Sequence, residues 1–453
     1  MTEINQKNIV IIGAGISGLC TLHYLKNKYK GRAGMSIKLL EKKETAGGVI
    51  HSEKEAGALF ETGAGSFLNS QPLTLDLISD LGISSQLIEA SDATKTRYLC
   101  VNQKLYPIPM SPLKLAGFPL FNLGDKWRLL FERMVDPGKS PLETVHEFVS
   151  RRLSVRWADL LADPMVSGIY AGNSKEIIFK DAFPSLYECE QVHGSVIAGL
   201  MQKRKTAKTK RILFSLKDGM GALVNALAIK NQNDILCSQE VESLSKDNQN
   251  QYLVQTSDKI YPADEVFVTV PAYSAGNLLK PVDSQMCAYL NQIKYAPVAV
   301  IGFVCAKSDF VNFPAGFGYL KPSCEKSPVL GVLFEDQVFA SRSQPDQCLL
   351  RLMIGGMHNL HILKYSKEEL IDIARTELIQ TLGFKGEPFH IFFKAWTNAI
   401  PQYDLYRNRA KSRIEAALKE HPNLHITANY WDGVSVNDCI KSAQQAVQSS
   451  SSL

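Results

Sequence analysis

A short apolar run, Ile9 to Ile12, breaks into Gly13-Ala14-Gly15-Ile16-Ser17-Gly18 before apolar residues return at Leu19, Leu22 and Leu25. A run this short, with β-branched ends and a glycine boundary, reads as a buried parallel strand, and the spacing after it reads as a helix. Strand, glycine turn and helix in this order constrain the chain to open a doubly wound α/β layer. In that unit Gly13 permits the tight turn, Gly15 leaves room for a pyrophosphate against the backbone, and Gly18 lets the helix sit close to the strand. The helix N-terminal N–H groups then face the phosphates. A second strand, Ile37 to Leu40, ends at Glu41. The dinucleotide fingerprint expects an acid to accept the ribose hydroxyls about 20 residues past the glycines, and Glu41 meets that expectation.

The chain has 453 residues, 45% of them apolar and 21% charged, enough for two or three structural units with real cores and an ordinary surface. A net charge of +5 suits an anionic substrate or a weak attraction to anionic lipid, and is too small to argue for nucleic acid. Nine cysteines scattered from Cys20 to Cys439 show no close pair, which points to reduced thiols and a cytoplasmic setting. His358 and His361 stand three apart with no cysteine or acidic cluster beside them, so no metal site is expected. The opening MTEINQKN is polar and runs straight into the first strand, so no signal peptide is expected. No stretch of 18 apolar residues occurs either, so the expected chain does not span a membrane, although it could lie on one.

Dinucleotide-fold signals recur at both ends and in the middle. The expected architecture is therefore α/β, with a Rossmann-like cofactor domain assembled from residues 1–85, 208–285 and 396–453. A mixed-sheet substrate domain is expected from 86–112 and 286–395, and a helical insertion from 113–207. Gln251 to Gln255 and Glu265 to Val270 read as strands in the middle cofactor segment, and VAVIGFVCA and CLLRLMIGG as strands that floor a substrate cavity. Ser366, Glu369 and Gly383 punctuate a helix: N-cap, capping-box partner and C-terminal stop. The basic run Lys203, Arg204, Lys205, Lys208, Lys210 and Arg211 reads as a solvated loop between domains, with contact to acidic headgroups as the alternative. The serine-rich tail, Ser449 to Ser452, is expected to fray.

A nicotinamide enzyme has use for the first motif alone, whereas an extended FAD must also seat its isoalloxazine on the far side of the domain. WDGVSVNDCIKSAQQAV supplies such a place near the C-terminus. Gly433 permits close approach, Val434 and Val436 offer backbone amides, and a following helix carries an apolar stripe at Val436, Ile440, Ala443 and Val447. The positive end of that helix favours the electron-rich edge of a reduced flavin. Gly47-Gly48 and Gly63-Ala64-Gly65 are further places where backbone can pass close to a cofactor.

EKKETAGGVIHS with FETGAGSF, then RYLCVNQKLYPIP, DPMVSGIYAGNSKEI with AFPSLYECEQVHGSVIAGL, GFGYLKPS, LLRLMIGG, KAWTNAIPQY and GVSVNDCI occur in this order along the chain. Over nearly its whole length the chain thereby resembles the protoporphyrinogen oxidase family of haem synthesis, within the amine-oxidase superfamily. The AGNS/FPSL block, the AIPQY segment and the GVSVNDCI ending are the specific part of that resemblance. The resemblance implies FAD held by Gly13, Ala14, Gly15, Ile16, Ser17 and Gly18 at the pyrophosphate, Glu41 and Lys42 at the ribose, and Val241 at the adenine. It also implies contacts from Val49, Gly63, Ala64, Gly65 and Ser66 on the flavin side, and from Val434, Ser435 and Val436 at the isoalloxazine. Arg97 is implied as the partner of a substrate propionate, Gly168 as a carbonyl facing the pyrrole nitrogens, and Phe317, Leu320 and Met353 as apolar residues that position the macrocycle. The implied chemistry is oxygen-dependent oxidation of protoporphyrinogen, a tetrapyrrole, in which the flavin carries the difficult step and the protein positions. Dioxygen as acceptor, a homodimer, hand-over of product to ferrochelatase, and peripheral attachment to the inner face of the cell membrane are further implications. Ala64 and Gly65 depart from the family pattern, which commonly has proline and arginine there. The rival substrate is coproporphyrinogen III, whose four propionates want more cations, with Lys104 and Lys321 as candidates. More distant rivals are another flavin amine oxidase and a non-catalytic binding protein on the same fold.

Overall fold

Four separated stretches of chain meet in one parallel sheet. The computed structural model describes residues 7–109, 112–115, 117–138, 140–206 and 210–450. Its five-stranded layer runs, edge to edge, Ile235–Leu236, Met35–Leu40, Lys7–Ile12, Glu265–Val268 and Leu424–Ile426, all parallel. Alternate residues of the central strand go to opposite faces. Ile9 and Ile11 pack with Leu19 and Leu22 of the helix Ile16–Lys28 and with Ile440 and Ala443 of the C-terminal helix Val436–Ser449. Val10 and Ile12 pack beneath Ala272, Ala275 and Leu279 on the other side. A strand buried on both faces has to be apolar throughout, which is why its sequence shows a run and no alternation. An antiparallel meander of Val241–Lys246, Tyr252–Thr256 and Ile260–Ala263 lies beside this layer.

The second, larger sheet has seven strands in the order His390–Pro401, Tyr295–Ala306, Gln347–Gly355, Val329–Phe334, Gly318–Leu320, Tyr98–Val101 and Lys104–Pro107. All its pairs are antiparallel except that between Gly318–Leu320 and Tyr98–Val101. Ala299, Ile301, Phe303, Leu350 and Leu352 face the helix Lys367–Leu382 and its Leu370, Ala374, Leu378 and Leu382. That helix begins with the reciprocal Ser366–Glu369 capping box and stops at Gly383, whose φ is 68°. Val298, Val300, Leu349, Met353 and Phe392 face the opposite way, toward Ala58 and Phe60. Phe60 stacks on Phe392 with centroids 4.8 Å apart, and Gly302 makes room for it: a Cβ there would stand 2.6 Å from the ring.

Residues 145–206 are largely helical, in Val145–Arg152, Asp163–Tyr170, Pro184–His193 and Val196–Thr206 among others. Buried Arg152 holds these helices together, with Glu132 at 2.5 Å and Glu190 as its two acids. Burying such a triad is tolerable because each charge has an opposite partner.

Three readings from the sequence shift. Residue 396 falls inside the strand His390–Pro401, and pairing with Tyr295–Ala306 resumes at Ile400 and Pro401 after a bulge, so the large sheet keeps that strand through Pro401. Leu87–Glu89 pairs with Leu213–Leu216 in a small sheet shared with Phe67–Leu68, apart from the seven-stranded sheet. Lys203, Arg204 and Lys205 form the last turn of the helix Val196–Thr206, where cations complement the helix dipole, and not a loop. Residues 1–6, Lys208, Ser451 and Ser452, all part of sequence-based expectations, lie outside the described residues.

Candidate functional site

Three glycines of the first turn have three different surroundings. At Gly13, with φ +100°, a Cβ would stand 2.7 Å from Val270, and at Gly18 it would stand 1.9 Å from the Gly13 carbonyl oxygen. At Gly15 it would meet nothing within 4 Å. Gly13 and Gly18 thus close the turn, and Gly15 borders open space. Gly15 caps the helix Ile16–Lys28 without a side-chain hydrogen bond, and no acidic residue occupies the first turn. The N–H groups of Ile16, Ser17 and Gly18 find no acceptor among the described residues. Orphan donors beside open space at a helix N-terminus suit a phosphate.

Glu41 is buried, and its carboxylate accepts the Ala14 N–H at 2.7 Å and the Lys43 N–H at 2.9 Å. Each carboxylate oxygen has a second lone pair to offer a ribose hydroxyl. Its own carbonyl accepts from Gln239 at 2.8 Å, which brings the segment leading to Val241 alongside. Val241 buries its side chain, so only its backbone is on offer; Lys42 is exposed and Val49 is half exposed. Gly48, with φ +66°, packs over the turn so closely that a Cβ would lie 3.0 Å from the Gly15 Cα.

At the far end, Ser435 and Asp438 form a capping box at the start of the helix Val436–Ser449. The Val436 and Asn437 N–H groups remain without an acceptor among the described residues. Val436 buries its side chain in the core, Val434 is half buried and Ser435 is exposed, so the apolar stripe read from sequence holds the helix while its N-terminus stays free. Cys439, on this helix, is buried in the core beside the glycine-turn helix, and burial pushes its thiol up to about 12. Two helix N-termini with free donors, a gap at Gly15 and the Glu41 carboxylate fit an extended FAD.

Gly63, Ala64, Gly65 and Ser66 run between these ends. A Cβ on Gly63 would stand 2.4 Å from the Val49 carbonyl oxygen. Arg351 donates to the Gly63 carbonyl at 3.0 Å and pairs with Glu335 at 2.7 Å. Fully buried Arg342 pairs with Glu61 at 2.9 Å and donates to Ser215 at 2.6 Å. Gly65 points its missing Cβ at the Arg351 guanidinium, 3.4 Å away. Guanidinium groups from other elements therefore fill the space beside the position where the family pattern has an arginine.

The face of the large sheet that carries the candidate substrate residues is assembled by strand register. Leu99, Leu320, Gly331, Met353, Val300 and Lys394 are successive partners across six strands and share one face. Gly168, on the helix Asp163–Tyr170, lies against this row, since a Cβ there would meet Leu320 at 3.0 Å. The Gly168 carbonyl has no donor among the described residues, whereas Ser167 takes the Ala171 N–H at 2.9 Å and Tyr170 takes the Gln402 amide at 2.9 Å. Arg97 precedes Leu99 by two residues and so belongs to the same face. It lies 5.0 Å from the centroid of Phe317 and makes no ion pair among the described residues. Gly318, at φ +132°, breaks the alternation and lets Phe317 share that side. Burial lowers the Arg97 pKa, yet a guanidinium remains charged at any physiological pH.

Lys321, weighed above as a cavity cation, faces the other way. Strand alternation turns it beneath the sheet, where it binds Glu377 at 2.7 Å together with Tyr319. Lys104 is exposed on the outermost strand.

Several residues that hold the site escaped sequence reasoning. Thr269 donates its hydroxyl to the Ile12 and Gly13 carbonyls, both at 2.8 Å. Asp163 fixes the Gly168 helix by accepting from Ser174 and from the Ser323 N–H, both at 2.9 Å. Burial raises the Asp163 pKa, but His358 and the two serines outweigh it and hold it below the ordinary value. Gln402 anchors the end of the same helix. Ser174 and Gln402 lie in the AGNS and AIPQY blocks, which was the available signal.

Residues 16–449 match the family of flavin containing amine oxidoreductases. The chain is 30% identical to protoporphyrinogen oxidase of Homo sapiens, with 98% of each chain covered. It is 26% identical to coproporphyrinogen III oxidase of Bacillus subtilis (strain 168), over 98% of this chain and 97% of that one. A crystal structure from Exiguobacterium sp. 255-15 superposes with a TM-score of 0.82 at 23% identity, covering 98% of both chains.

Proposed function

This chain belongs to the flavin containing amine oxidoreductases, in the branch of the protoporphyrinogen oxidases, and from that membership we propose that it oxidises protoporphyrinogen IX to protoporphyrin IX in three two-electron steps. It is an FAD enzyme of haem synthesis. The observation that carries the substrate reading is the apolar row Leu320, Gly331, Met353 and Val300, lying beneath Gly168 and ending at a guanidinium with no ion pair among the described residues. A largely apolar ring with two propionates wants such a floor and a fixed cation.

The glycine turn and Glu41 would hold the pyrophosphate and ribose of FAD, and the N-terminus of Val436–Ser449 would hold the flavin edge. FAD bound there would supply the redox chemistry: a hydride leaves a meso methylene carbon for the cofactor as a pyrrole nitrogen loses its proton, and dioxygen would take the electrons away as hydrogen peroxide. Arg97 binds one propionate in bidentate fashion and so fixes which edge of the ring faces the cofactor. Leu320 and Met353 bear the ring and exclude water. The Gly168 carbonyl accepts a pyrrole N–H and holds the ring in plane; Asp163 and Gln402 act by keeping that carbonyl in position. The test is oxidation of protoporphyrinogen by FAD-loaded protein, read by porphyrin fluorescence and peroxide yield, with no porphyrin above the uncatalysed rate as the contrary result.

No helix among the described residues is long and apolar enough to cross a membrane. Leu123, Trp127, Leu130, Phe131 and Met134 are exposed at helical spacing, and Glu132 beside them accepts the Val196 N–H at the start of the helix that ends in Lys203, Arg204 and Lys205. An apolar stripe beside cations supports peripheral attachment to an anionic membrane on its cytoplasmic face. Co-sedimentation with anionic vesicles, weakened in Trp127→Ser with Leu130→Ser, checks it. The same reading carries a homodimer and product hand-over to ferrochelatase, both from the resemblance; sedimentation velocity and porphyrin-transfer kinetics test them.

A further inference from the structure

Resting on the substrate reading above, we propose that Lys394 is a second carboxylate-binding residue, which lets the same cavity accept a porphyrinogen carrying acids on the side away from Arg97. Lys394 closes the apolar row at the opposite edge of the sheet: it pairs with Val300, which pairs with Met353, which pairs with Gly331, which pairs with Leu320. Its neighbours on the same face are Phe392, packed on Phe60, and Trp396, packed in the cluster that contains Met353. The Trp396 indole N–H donates to the Thr62 carbonyl at 2.9 Å, so the ring stands beside the flavin-side segment. Lys394 is half buried, lies 4.8 Å from the centroid of that indole, and makes no ion pair among the described residues.

The arrangement at Arg97 repeats at Lys394. Each cation has no ion pair among the described residues and rests on an aromatic ring, Phe317 for one and Trp396 for the other. An aromatic face holds a cation in place without neutralising it, which leaves the charge for an incoming anion. Five strand intervals of ~4.8 Å put the two backbones roughly 24 Å apart, and both side chains are long enough to reach inward. Such a gap suits a tetrapyrrole with its side groups and is too wide for a single aromatic ring. A porphyrinogen with carboxylates on one side satisfies Arg97 alone, whereas one with four carboxylates would bury the others against Met353 and Val300 unless a cation met them. Lys321 cannot meet them, being bound to Glu377 beneath the sheet, and Lys104 sits on the outermost strand at the Arg97 end.

The test compares kcat/KM for coproporphyrinogen III and protoporphyrinogen IX in wild type, Lys394→Met, Lys394→Arg and Arg97→Ala, each loaded with FAD and matched for flavin absorbance. Lys394→Met is expected to lower the ratio of coproporphyrinogen to protoporphyrinogen about tenfold, and Lys394→Arg to restore it, as expected when one half-exposed charge pair is lost and regained. Arg97→Ala is expected to lower both values. A ratio within twofold of wild type in Lys394→Met overturns the inference, as does an equal loss with both substrates, which would assign Lys394 to the flavin. A flavin-loaded wild type that oxidises neither compound overturns the substrate reading itself.

Discussion

The proposed cofactor cradle and the proposed substrate floor are built from different parts of the chain, and they should fail differently. The cradle is made of backbone: N–H groups of Ile16, Ser17, Gly18, Val436 and Asn437, with glycines where a side chain would intrude. The floor is made of side chains, set in line by the register of six strands. A backbone site is damaged by adding atoms, and a side-chain site by removing them.

The largest effect should come from Gly18→Val, whose Cβ would lie 1.9 Å from the Gly13 carbonyl oxygen with Thr269 at 2.7 Å. FAD retention should vanish and the melting temperature should fall, by about 3 kcal/mol or more of stability given backbone on one side of the clash. Lys321→Met should cost on the order of 3 kcal/mol in denaturant titration by stranding Glu377, while leaving the substrate ratio near wild type. Were that ratio to move as much as in Lys394→Met, the two faces of the sheet would not be separate. Arg97→Ala should lower kcat/KM for protoporphyrinogen about 100-fold at unchanged flavin content. Gly15→Ala sharpens the contrast with Gly18: its Cβ meets nothing within 4 Å, so the melting temperature of the apoprotein should hold while FAD binds roughly tenfold more weakly. The smallest effect concerns Asp163. Its folded pKa lies below the ordinary value, so the stability it contributes is present above the unfolded pKa of 3.8 and is lost as pH falls through the lower, folded one. Between pH 5 and 8, Asp163 should therefore add no slope to an unfolding curve, and Asp163→Asn should remove only a loss seen in acid.

The same contrast explains what the residues disclosed in advance. Local signals were legible: the Gly13 turn, the acid at position 41, the Ser366–Glu369 box with Gly383, and the buried stripe of Val436, Ile440, Ala443 and Val447 all depend on neighbours within a few turns. Contacts set by register were not. Nothing near Lys321 says that it faces Glu377, 56 residues away, and a one-residue slip would have turned it into the cavity. Lys394 escaped notice for the same reason: its place beside Met353 depends on two strand pairings. Thr269, Asp163 and Gln402 support the site through hydrogen bonds spanning 11 to 257 residues, a range that composition and periodicity do not report.

Anaerobic addition of protoporphyrinogen IX to the FAD-reconstituted protein tests the central claim most directly, because it asks the cradle and the floor to work together. The yellow flavin band should bleach as porphyrin fluorescence grows, and return when dioxygen is admitted. A protein that takes up FAD stoichiometrically, yet keeps its yellow band in full with the porphyrinogen present, would contradict the account.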